Sequence, residues 1–376
     1  MKIGINLFQM WSGKMGGMEQ FLRNLIEYTS CLTNDEIYLF LNKYSYDDFQ
    51  INNQQVKKIS IKLDKNPQNV DAEFHKWIND LNIHLWFCPL FTLVPKNLKI
   101  PSVVMIPDIQ HEFFPEFFQN EDLHWRKDSI KYAAASANII LTISHFSKAT
   151  IIDRYKIPED KIITIHGDAP TEFISDNNER TKNKIKQKYQ LPDRYGLYPA
   201  NTWPHKNHIN LLKSLVILRD KYDVEMQLIF TGYKRAHIKS YNRIQRFIMK
   251  EKLNSQVKIL GYVPQEDMPY LYLNAGFLVY PSLFEGFGIP LVEAMKTNIP
   301  IICSDAGSIP EVVGDSALIF NPHDPEDIAI QMLEVLKPEI RKSLVEKGKI
   351  QSENFSWKKS AKETLVLFHR LVDNGK

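Results

Sequence analysis

The chain has 376 residues, enough for two domains at roughly 100 to 200 residues per domain. Its 44% hydrophobic and 24% charged residues are typical of a globular protein, which excludes disordered and collagen-like chains. A formal net charge of +3 is nearly balanced for this length, so we expect no nucleic-acid partner, which would require a strongly basic domain.

The cysteines and the first residues of the sequence indicate the cellular compartment in which we expect the protein. Cys31, Cys88 and Cys303 lie far apart and form no CxxC pair, so we expect neither a disulfide framework nor a zinc cluster. Met1 is followed by a strand-like run that lacks the charged and then apolar pattern of a signal peptide. No apolar stretch approaches the ~18 residues of a membrane span. We therefore expect a soluble cytoplasmic protein, at most peripheral to a membrane.

Short apolar runs alternate with longer amphipathic segments, which is the pattern of βαβ units with parallel sheets. The predicted strands are Lys2–Asn6, Glu36–Leu41, Leu85–Phe87, Ser102–Ile106, Asn138–Ile143, Tyr195–Pro199, Gln227–Thr231, Val257–Leu260, Phe277–Tyr280 and Pro300–Ser304. The predicted helices include Gly17–Leu32, Asp122–Ala137, Ser147–Tyr155, Asn207–Lys221, Glu326–Leu336 and a final amphipathic helix at Phe355–Val372. Two such series predict an α/β protein with two Rossmann-like domains. We interpret the lysine-rich stretch Ser175–Gln190 as a solvated linker and the first helix of the second domain.

The segment after the ninth predicted strand carries two glutamates and two glycines. Gly286 and Gly288 let the backbone turn sharply and approach a ligand, and a helix opened by Pro290 would present its amide groups there, as anion sites do. Glu285 in the loop and Glu293 in the first helical turn could both accept hydrogen bonds from adjacent hydroxyls of a sugar or ribose. A structural alternative exists for Glu293, because a carboxylate in a first turn also complements the helix dipole.

The stretch Phe284–Pro290, followed by Glu293–Met295, resembles the motif of two glutamates separated by seven residues in retaining glycosyltransferases of family four. The resemblance implies the GT-B fold, in which two Rossmann-like domains with parallel sheets face each other across a cleft. It also implies an acceptor-binding domain at 1–175, a nucleotide-sugar-binding domain at 190–354, and a C-terminal helix at 355–376 that crosses back to the first domain.

The same resemblance assigns roles around the motif. Glu285 is expected to be catalytic and to contact the sugar hydroxyls, while Glu293 contacts the ribose. Gly286, Phe287 and Gly288 are expected to line the donor site.

Further candidates lie in the loops of the second domain. Lys206 matches a lysine that the family places on the donor diphosphate, where a fixed ammonium would stabilise the leaving group. Many relatives carry an arginine about five positions earlier, where Asn201 stands here and offers only an amide hydrogen bond. Gly232 and Gly261 resemble glycine loops around the nucleotide, although a tight turn has the same requirement. Arg235 is a further candidate for the diphosphate, with a solvated surface arginine as its alternative.

In the first domain, Gly16 and Gly17 follow the first strand without the Gly-x-Gly-x-x-Gly spacing of dinucleotide dehydrogenases. The resemblance implies that their amides approach the donor phosphate or the acceptor, and a tight turn is the alternative. Asp108 is a candidate catalytic residue that orients the acceptor or the sugar, and Pro107 replaces the histidine that often precedes it in the family. Weaker candidates for acceptor or sugar contact, with a loop histidine and a helix cap as alternatives, are His111 and Ser144.

The resemblance as a whole implies a retaining transferase that moves a hexose from a nucleoside diphosphate sugar to a glycan or lipid-linked acceptor. GDP-mannose is the favoured donor, from likeness to bacterial mannosyltransferases of surface polysaccharide and lipopolysaccharide assembly, and UDP-hexoses come next. No Asp-x-Asp motif offers ligands for a divalent cation, so we expect a metal-independent enzyme without a cofactor. The alternatives are a nucleotide-sugar epimerase of the same fold and a protein that binds a sugar nucleotide without turnover. A lipid-linked acceptor would bring the enzyme to the cytoplasmic face of the inner membrane.

Overall fold

The computed structural model describes residues 1–13, 15–62, 67–175, 178–233 and 236–374, and it divides the chain into two compact units. Unit 1 comprises Met1–Gly167 and Ser356–Lys376, and unit 2 comprises Asp168–Phe355. The chain therefore passes between the units twice, and the lysine-rich stretch 175–190 belongs to unit 2. The acceptor-binding and donor-binding roles of the two parts stay predictions.

Seven parallel strands form the sheet of unit 1. They are β1 (Lys2–Leu7), β2 (Glu36–Asn42), β3 (Val56–Ile61), β4 (Leu85–Cys88), β5 (Ser102–Met105), β6 (Ile139–Thr142) and β7 (Ile162–Thr164). The helices that accompany them are α1 (Gly17–Cys31), α2 (Pro67–Asp80), α3 (Gln110–Phe113), α4 (Asn120–Ser136) and α5 (His145–Tyr155). The strand order is β3-β2-β1-β4-β5-β6-β7, so the direction of strand addition reverses between β1 and β4. In sheets of this type, ligands bind outside the carboxyl ends of the strands at such a reversal.

An aromatic cluster in unit 1 explains why a glycine stands in the middle of β1. The rings of Phe40, Phe74 and Trp86 lie with their centroids 4.8 to 6.1 Å apart. A Cβ atom on Gly4 would lie 2.4 Å from a ring carbon of Trp86. Gly4 therefore provides the space that the indole ring fills.

Six parallel strands form the sheet of unit 2. They are β8 (Gly196–Pro199), β9 (Leu228–Thr231), β10 (Val257–Gly261), β11 (Phe277–Tyr280), β12 (Ile301–Ser304) and β13 (Ala317–Phe320). The helices are α6 (Glu172–Ser175), α7 (Glu179–Lys188), α8 (His208–Tyr222), α9 (Ile238–Lys250), α10 (Met268–Asn274), α11 (Ile289–Lys296), α12 (Ile309–Val313), α13 (Pro325–Glu334) and α14 (Pro338–Ser352). The order β10-β9-β8-β11-β12-β13 reverses between β8 and β11. A binding crevice is therefore expected where the loops after β8 and β11 meet.

The last helix, α15 (Trp357–Asn374), belongs to unit 1 and packs on α1. The rings of Phe21 and Trp357 meet edge to face at 5.1 Å, and the rings of Phe87 and Phe368 lie 5.4 Å apart. The hydroxyl of Ser356, which precedes α15, accepts a hydrogen bond from the Lys359 amide at 3.4 Å, as a helix cap does. The chain thus ends as an amphipathic helix that buries its aromatic side chains in unit 1.

All ten predicted strands are present, with ends within one residue of those expected. The sequence pattern misses β3, β7 and β13, and each of the three lies at an edge of its sheet. In the described part of the chain, no helix has both the length and the apolar content that a membrane crossing requires.

Candidate functional site

The loops after β8 and β11 bring together the two side chains that the sequence predicts to be most important. Lys206 ends a short 3-10 turn after β8, and Glu285 lies in the loop after β11. The Lys206 ammonium nitrogen is 2.6 Å from Glu285 Oε1, and the two side chains are 16% and 11% exposed. The pair therefore lies where the strand order of unit 2 reverses, the place at which a ligand is expected.

This ion pair sets the ionisation of Glu285. Burial is the largest single effect and acts to raise the pKa of Glu285, but the charge of Lys206, together with hydrogen bonds from Lys206 and Ser282, holds the pKa below its ordinary value. The ammonium also lies 5.5 Å from the centre of the Tyr280 ring and 3.5 Å from the Tyr280 hydroxyl. Desolvation lowers the pKa of His205 to about 3, helped by Lys206, so this neighbouring ring is neutral at pH 7. The positive charge at this edge therefore comes from Lys206 and not from His205.

The loops that carry the pair are fastened to each other. The Leu283 amide donates a hydrogen bond to the His205 carbonyl at 2.7 Å, which joins the loop after β11 to the loop after β8. Asn207 has the left-handed conformation, with φ of 58°, and its side-chain nitrogen Nδ2 donates to the carbonyls of Pro281 at 3.0 Å and Pro322 at 2.7 Å. The sequence assigns Asn207 no role. The one feature of the sequence that could have indicated this role is the residue type, because asparagine tolerates the left-handed conformation better than most residues.

Helix α11 begins one residue earlier than expected. Gly288, with φ of 102°, precedes the helix, Ile289 is its first residue and Pro290 its second. The placement of Glu293 in the first helical turn is therefore wrong, because this residue lies in the second turn. Its carboxylate is buried and accepts a hydrogen bond from the Tyr272 hydroxyl at 2.5 Å. In this conformation Glu293 is bonded within unit 2, and its contact with a ribose stays a prediction.

The remaining donor candidates lie at the ends of β8, β9 and β10. A Cβ atom on Gly232 would lie 2.6 Å from the Ala200 carbonyl oxygen, so glycine permits the close approach of two backbones. The Asn201 side-chain oxygen accepts a hydrogen bond from the Tyr233 amide at 2.6 Å, which ties the same two loops together. Gly261 accepts a hydrogen bond from the Gly232 amide at 2.9 Å. Arg235 lies outside the described residues.

The glycine loop of unit 1 is organised by an ion pair that the sequence does not indicate. Gly16 has φ of 59° and precedes α1. The Glu19 carboxylate accepts hydrogen bonds from the Gly13 amide at 2.8 Å and from the Arg23 guanidinium at 2.9 Å. In the described part of the chain, nothing lies within 4 Å of a Cβ atom built on Gly17. The loop is therefore fixed at Glu19 and open at Gly17, as an approach by a ligand would require.

Three further candidates of unit 1 lie after β5 and β6. Asp108 accepts a hydrogen bond from the Gln110 amide at 3.0 Å at the start of α3. His111 is buried, its Nε2 atom lies 3.2 Å from the Tyr155 hydroxyl, and burial lowers its pKa to about 4. Ser144 is fully buried and caps α5 by accepting a hydrogen bond from the Ser147 amide at 3.0 Å. The structure therefore presents neither His111 nor Ser144 to an acceptor, because both are bonded inside unit 1.

Comparison with known proteins identifies the family. Residues 179–351 match the family described as glycosyl transferases group 1. The chain is 32% identical over 296 residues to the O-antigen chain mannosyltransferase B of Escherichia coli, a match that covers 78% of this chain and 76% of that protein. The chain belongs to the group 1 glycosyltransferases. This glycosyltransferase is also 30% identical over 266 residues to the serotype-specific mannosyltransferase WbdA of Escherichia coli, of which it spans 31%.

The solved structures show the fold of this glycosyltransferase. The crystal structure of an Anabaena protein in complex with UDP and glucose aligns with a TM-score of 0.77 and 17% identity, over 98% of this chain and 100% of that one. The predicted two-domain GT-B fold is thereby confirmed.

Glu293 gives this glycosyltransferase a pH-dependent stability that can be measured. Burial raises the pKa of Glu293 to about 7, from an ordinary value of 4.5. The folded chain then keeps this proton while the unfolded chain loses it between about pH 4.5 and pH 7, so the carboxyl lowers folding stability as pH rises. We expect Glu293→Gln to gain roughly 2 to 3 kcal/mol relative to the parent between pH 5 and pH 8.

The free energy of unfolding of the parent and of Glu293→Gln is measured by chemical denaturation at pH 5 and pH 8. The contributions of the other titrating groups cancel when the two proteins are compared. Glu172→Gln is a useful control, because this glutamate lies near enough to raise the pKa of Glu293 further. It should reduce the pH effect without abolishing it. A difference between Glu293→Gln and the parent that is the same at both pH values would contradict the raised pKa.

Proposed function

We propose that this glycosyltransferase moves a hexose, with mannose favoured, from a nucleoside diphosphate sugar to a glycan or lipid-linked hydroxyl with retention of configuration. The proposal places the reaction in the assembly of a bacterial surface polysaccharide, at the cytoplasmic face of the inner membrane. The O-antigen mannosyltransferase relative supports both mannose and this pathway. The observation that carries the chemistry is the Lys206–Glu285 pair at the strand reversal of unit 2.

The ion pair suits a donor with a diphosphate leaving group. An ammonium has three hydrogens to donate, so Lys206 can bond a phosphate oxygen while it keeps Glu285. Negative charge grows on the phosphate oxygen as the sugar leaves, and a cation already held in place stabilises that charge most in the transition state. Glu285, kept ionised by the same lysine, can accept hydrogen bonds from two hydroxyls of the sugar.

In the proposed reaction, the bond between the anomeric carbon and the phosphate oxygen breaks. The acceptor oxygen bonds to that carbon on the same face of the sugar, and the acceptor proton passes to the departing phosphate. No covalent enzyme intermediate is needed, and the products are the elongated glycan and a nucleoside diphosphate. Glu285 and Lys206 act by binding and electrostatics.

A transfer assay tests the proposal. The full chain is incubated with radiolabelled GDP-mannose or UDP-glucose and a lipid-linked acceptor extract, and label in the lipid fraction is counted. We expect label from GDP-mannose to appear in the lipid-linked product, with the anomeric configuration of the donor. UDP-glucose is the second candidate donor because of the UDP and glucose bound by the Anabaena protein. Conversion of the donor sugar without an acceptor would indicate an epimerase instead, and nucleotide binding without turnover would indicate a binding protein.

The nucleotide itself can be identified by thermal shift. A ligand that binds the folded chain alone raises Tm, by an amount that grows with its concentration above Kd. We expect GDP to raise Tm more than UDP or ADP at equal concentration. A larger shift with UDP would reassign the donor base, and a panel without any shift would contradict the nucleotide-sugar site.

Independence from metal is a separate expectation. The proposed positive charge on the diphosphate comes from Lys206 and from backbone amides, so chelation of divalent cations should leave the transfer rate unchanged. The measurement is the transfer rate with EDTA and after magnesium or manganese is restored. Loss of activity with EDTA and its recovery with one cation would refute metal independence.

A further inference from the structure

Ser308 lies in the loop between β12 and α12 and contacts the backbone of the Glu285 loop. Its side chain is fully buried, and its hydroxyl oxygen lies 3.0 Å from the Glu285 carbonyl and 3.1 Å from the Phe287 carbonyl. The Ser308 amide also donates to the Glu285 carbonyl at 3.2 Å. A serine hydroxyl has one hydrogen, which these two carbonyls share. One residue therefore holds two carbonyl groups on either side of Gly286.

The neighbouring residue brings the two backbones into direct contact. Gly307 has φ of 63°, and a Cβ atom there would lie 2.7 Å from the Glu285 carbonyl oxygen and 2.9 Å from the Glu285 nitrogen. No larger residue fits without displacing the loop. Gly307 and Ser308 therefore act as a template against which the main chain of Glu285 rests.

These backbone contacts also determine the direction in which the amide hydrogens of the Glu285 loop point. In a planar trans peptide, the carbonyl of one residue and the amide hydrogen of the next point in opposite directions. With the Glu285 and Phe287 carbonyls directed at Ser308, the next amide hydrogens, on Gly286 and Gly288, point away from it. The same contacts hold the main chain from which the Glu285 side chain extends, and its carboxylate pairs with Lys206.

We propose that Ser308 is a positioning residue of the transfer reaction: it holds the Glu285–Phe287 backbone so that the Glu285 carboxylate stays aligned with Lys206 and the donor sugar. This inference rests on the role proposed above for Glu285. Ser308 contacts no reacting atom and acts through Glu285. A displacement of about 1 Å at such a site can lower the rate on the order of 100-fold, so the hydroxyl has a large effect without touching substrate.

The test compares Ser308→Ala with Ser308→Thr. The alanine variant loses the bond to both carbonyls, and we expect kcat to fall about 10-fold to 100-fold, with a donor KM within about 3-fold of the parent. Ser308 has an ordinary helical backbone, which threonine can adopt, so the threonine variant should restore most of kcat. Should the alanine variant fail to fold, Ser308→Cys keeps the size of the side chain with a weaker donor and should show the same fall in kcat.

Ser214→Ala is the matched control. Ser214 is also fully buried in unit 2, and its hydroxyl donates to the Leu211 carbonyl at 2.7 Å in α8. The control measures what loss of a buried serine hydroxyl does to the fold alone. We expect similar losses of Tm in the two alanine variants, and a loss of kcat in Ser308→Ala only.

A double-mutant cycle with Glu285→Gln separates positioning from general structure. If Ser308 acts through Glu285, Ser308→Ala should cost little further activity once the carboxylate is gone. The inference is overturned if Ser308→Ala behaves like Ser214→Ala, or if its loss of kcat is unchanged in the Glu285→Gln background. Full activity of Glu285→Gln by itself would instead refute the role proposed for Glu285, so the two failures are distinguishable.

Discussion

Replacing Glu285 with glutamine should lower kcat by about 100-fold to 1000-fold, the range seen when one electrostatic contact to a transition state is removed. Glutamine keeps the size of the side chain and an oxygen that can accept a hydrogen bond from Lys206. It loses the negative charge and offers a poorer pair of acceptors to the sugar hydroxyls. Because the Lys206–Glu285 pair is largely buried, the variant should also lose some stability, which Tm will report.

Glu334→Gln is the control for this prediction. Glu334 pairs with Lys337 at 2.6 Å, the distance found between Glu285 and Lys206, but the Glu334 pair is more exposed and lies within α13 and the turn after it. Its replacement should leave kcat unchanged, since exposed pairs contribute little. Activity of Glu285→Gln within a few-fold of the parent, in a folded protein, would remove Glu285 from the catalytic machinery.

Replacing Lys206 with alanine should damage catalysis more than it damages nucleotide binding. The ammonium stabilises charge that develops as the phosphate leaves, so kcat/KM should fall by about 1000-fold, while Kd for the nucleoside diphosphate rises by about 10-fold or less. Transfer kinetics and calorimetric titration measure the two quantities. Lys213→Ala, at an exposed site on α8, is the control and should change neither. Equal losses in rate and affinity would reduce Lys206 to a binding residue.

The same variant should move the pH profile. In the parent, burial acts to raise the pKa of Glu285, and the charge of Lys206 is the largest of the effects that together hold it below its ordinary value, so the carboxylate stays ionised into mildly acidic solution. Without that charge, burial acts on Glu285 unopposed by Lys206, and its pKa rises. The acid limb of the residual activity of Lys206→Ala should therefore lie at higher pH than in the parent. An acid limb at an unchanged pH would mean that another group sets it.

The interior of both sheets is predictable from sequence because each interior strand is a nearly continuous apolar run. Three of the four edge strands of the described sheets lack that signal, and only β10 is found from its sequence. β3 reads VKKISI, with two lysines and only its last residue buried, and β7 has three residues. β13 is mostly half-buried or exposed, although it pairs with β12 along its whole length. An edge strand forms hydrogen bonds with one neighbouring strand instead of two, so it can be short and can carry polar side chains.

The meeting of Lys206 and Glu285 is predictable for a different reason. Each follows a strand of the same parallel sheet, and the carboxyl ends of parallel strands lie on one edge. The contacts that hold them are not predictable, because they join loops far apart in sequence. Ser308 contacts a carbonyl 23 residues away, and Asn207 contacts one 115 residues away. The same holds for Glu293, because the sequence predicts a first-turn carboxylate that accepts hydrogen bonds from a ligand, whereas its partner in the structure, Tyr272, comes from another helix.

The packing of α15 on α1 has a consequence for the order of events on the ribosome. Unit 2 is one continuous segment, whereas unit 1 needs the last helix of the chain to cover Phe21 and Phe87. During synthesis, all residues of unit 2 have been added to the chain before the residues of α15 that complete unit 1. A nascent chain that has not yet added Trp357 carries uncovered aromatic surface on its older half, the kind of surface that invites aggregation or chaperone binding. Unit 1 can therefore be completed only after unit 2 and α15 have been synthesised.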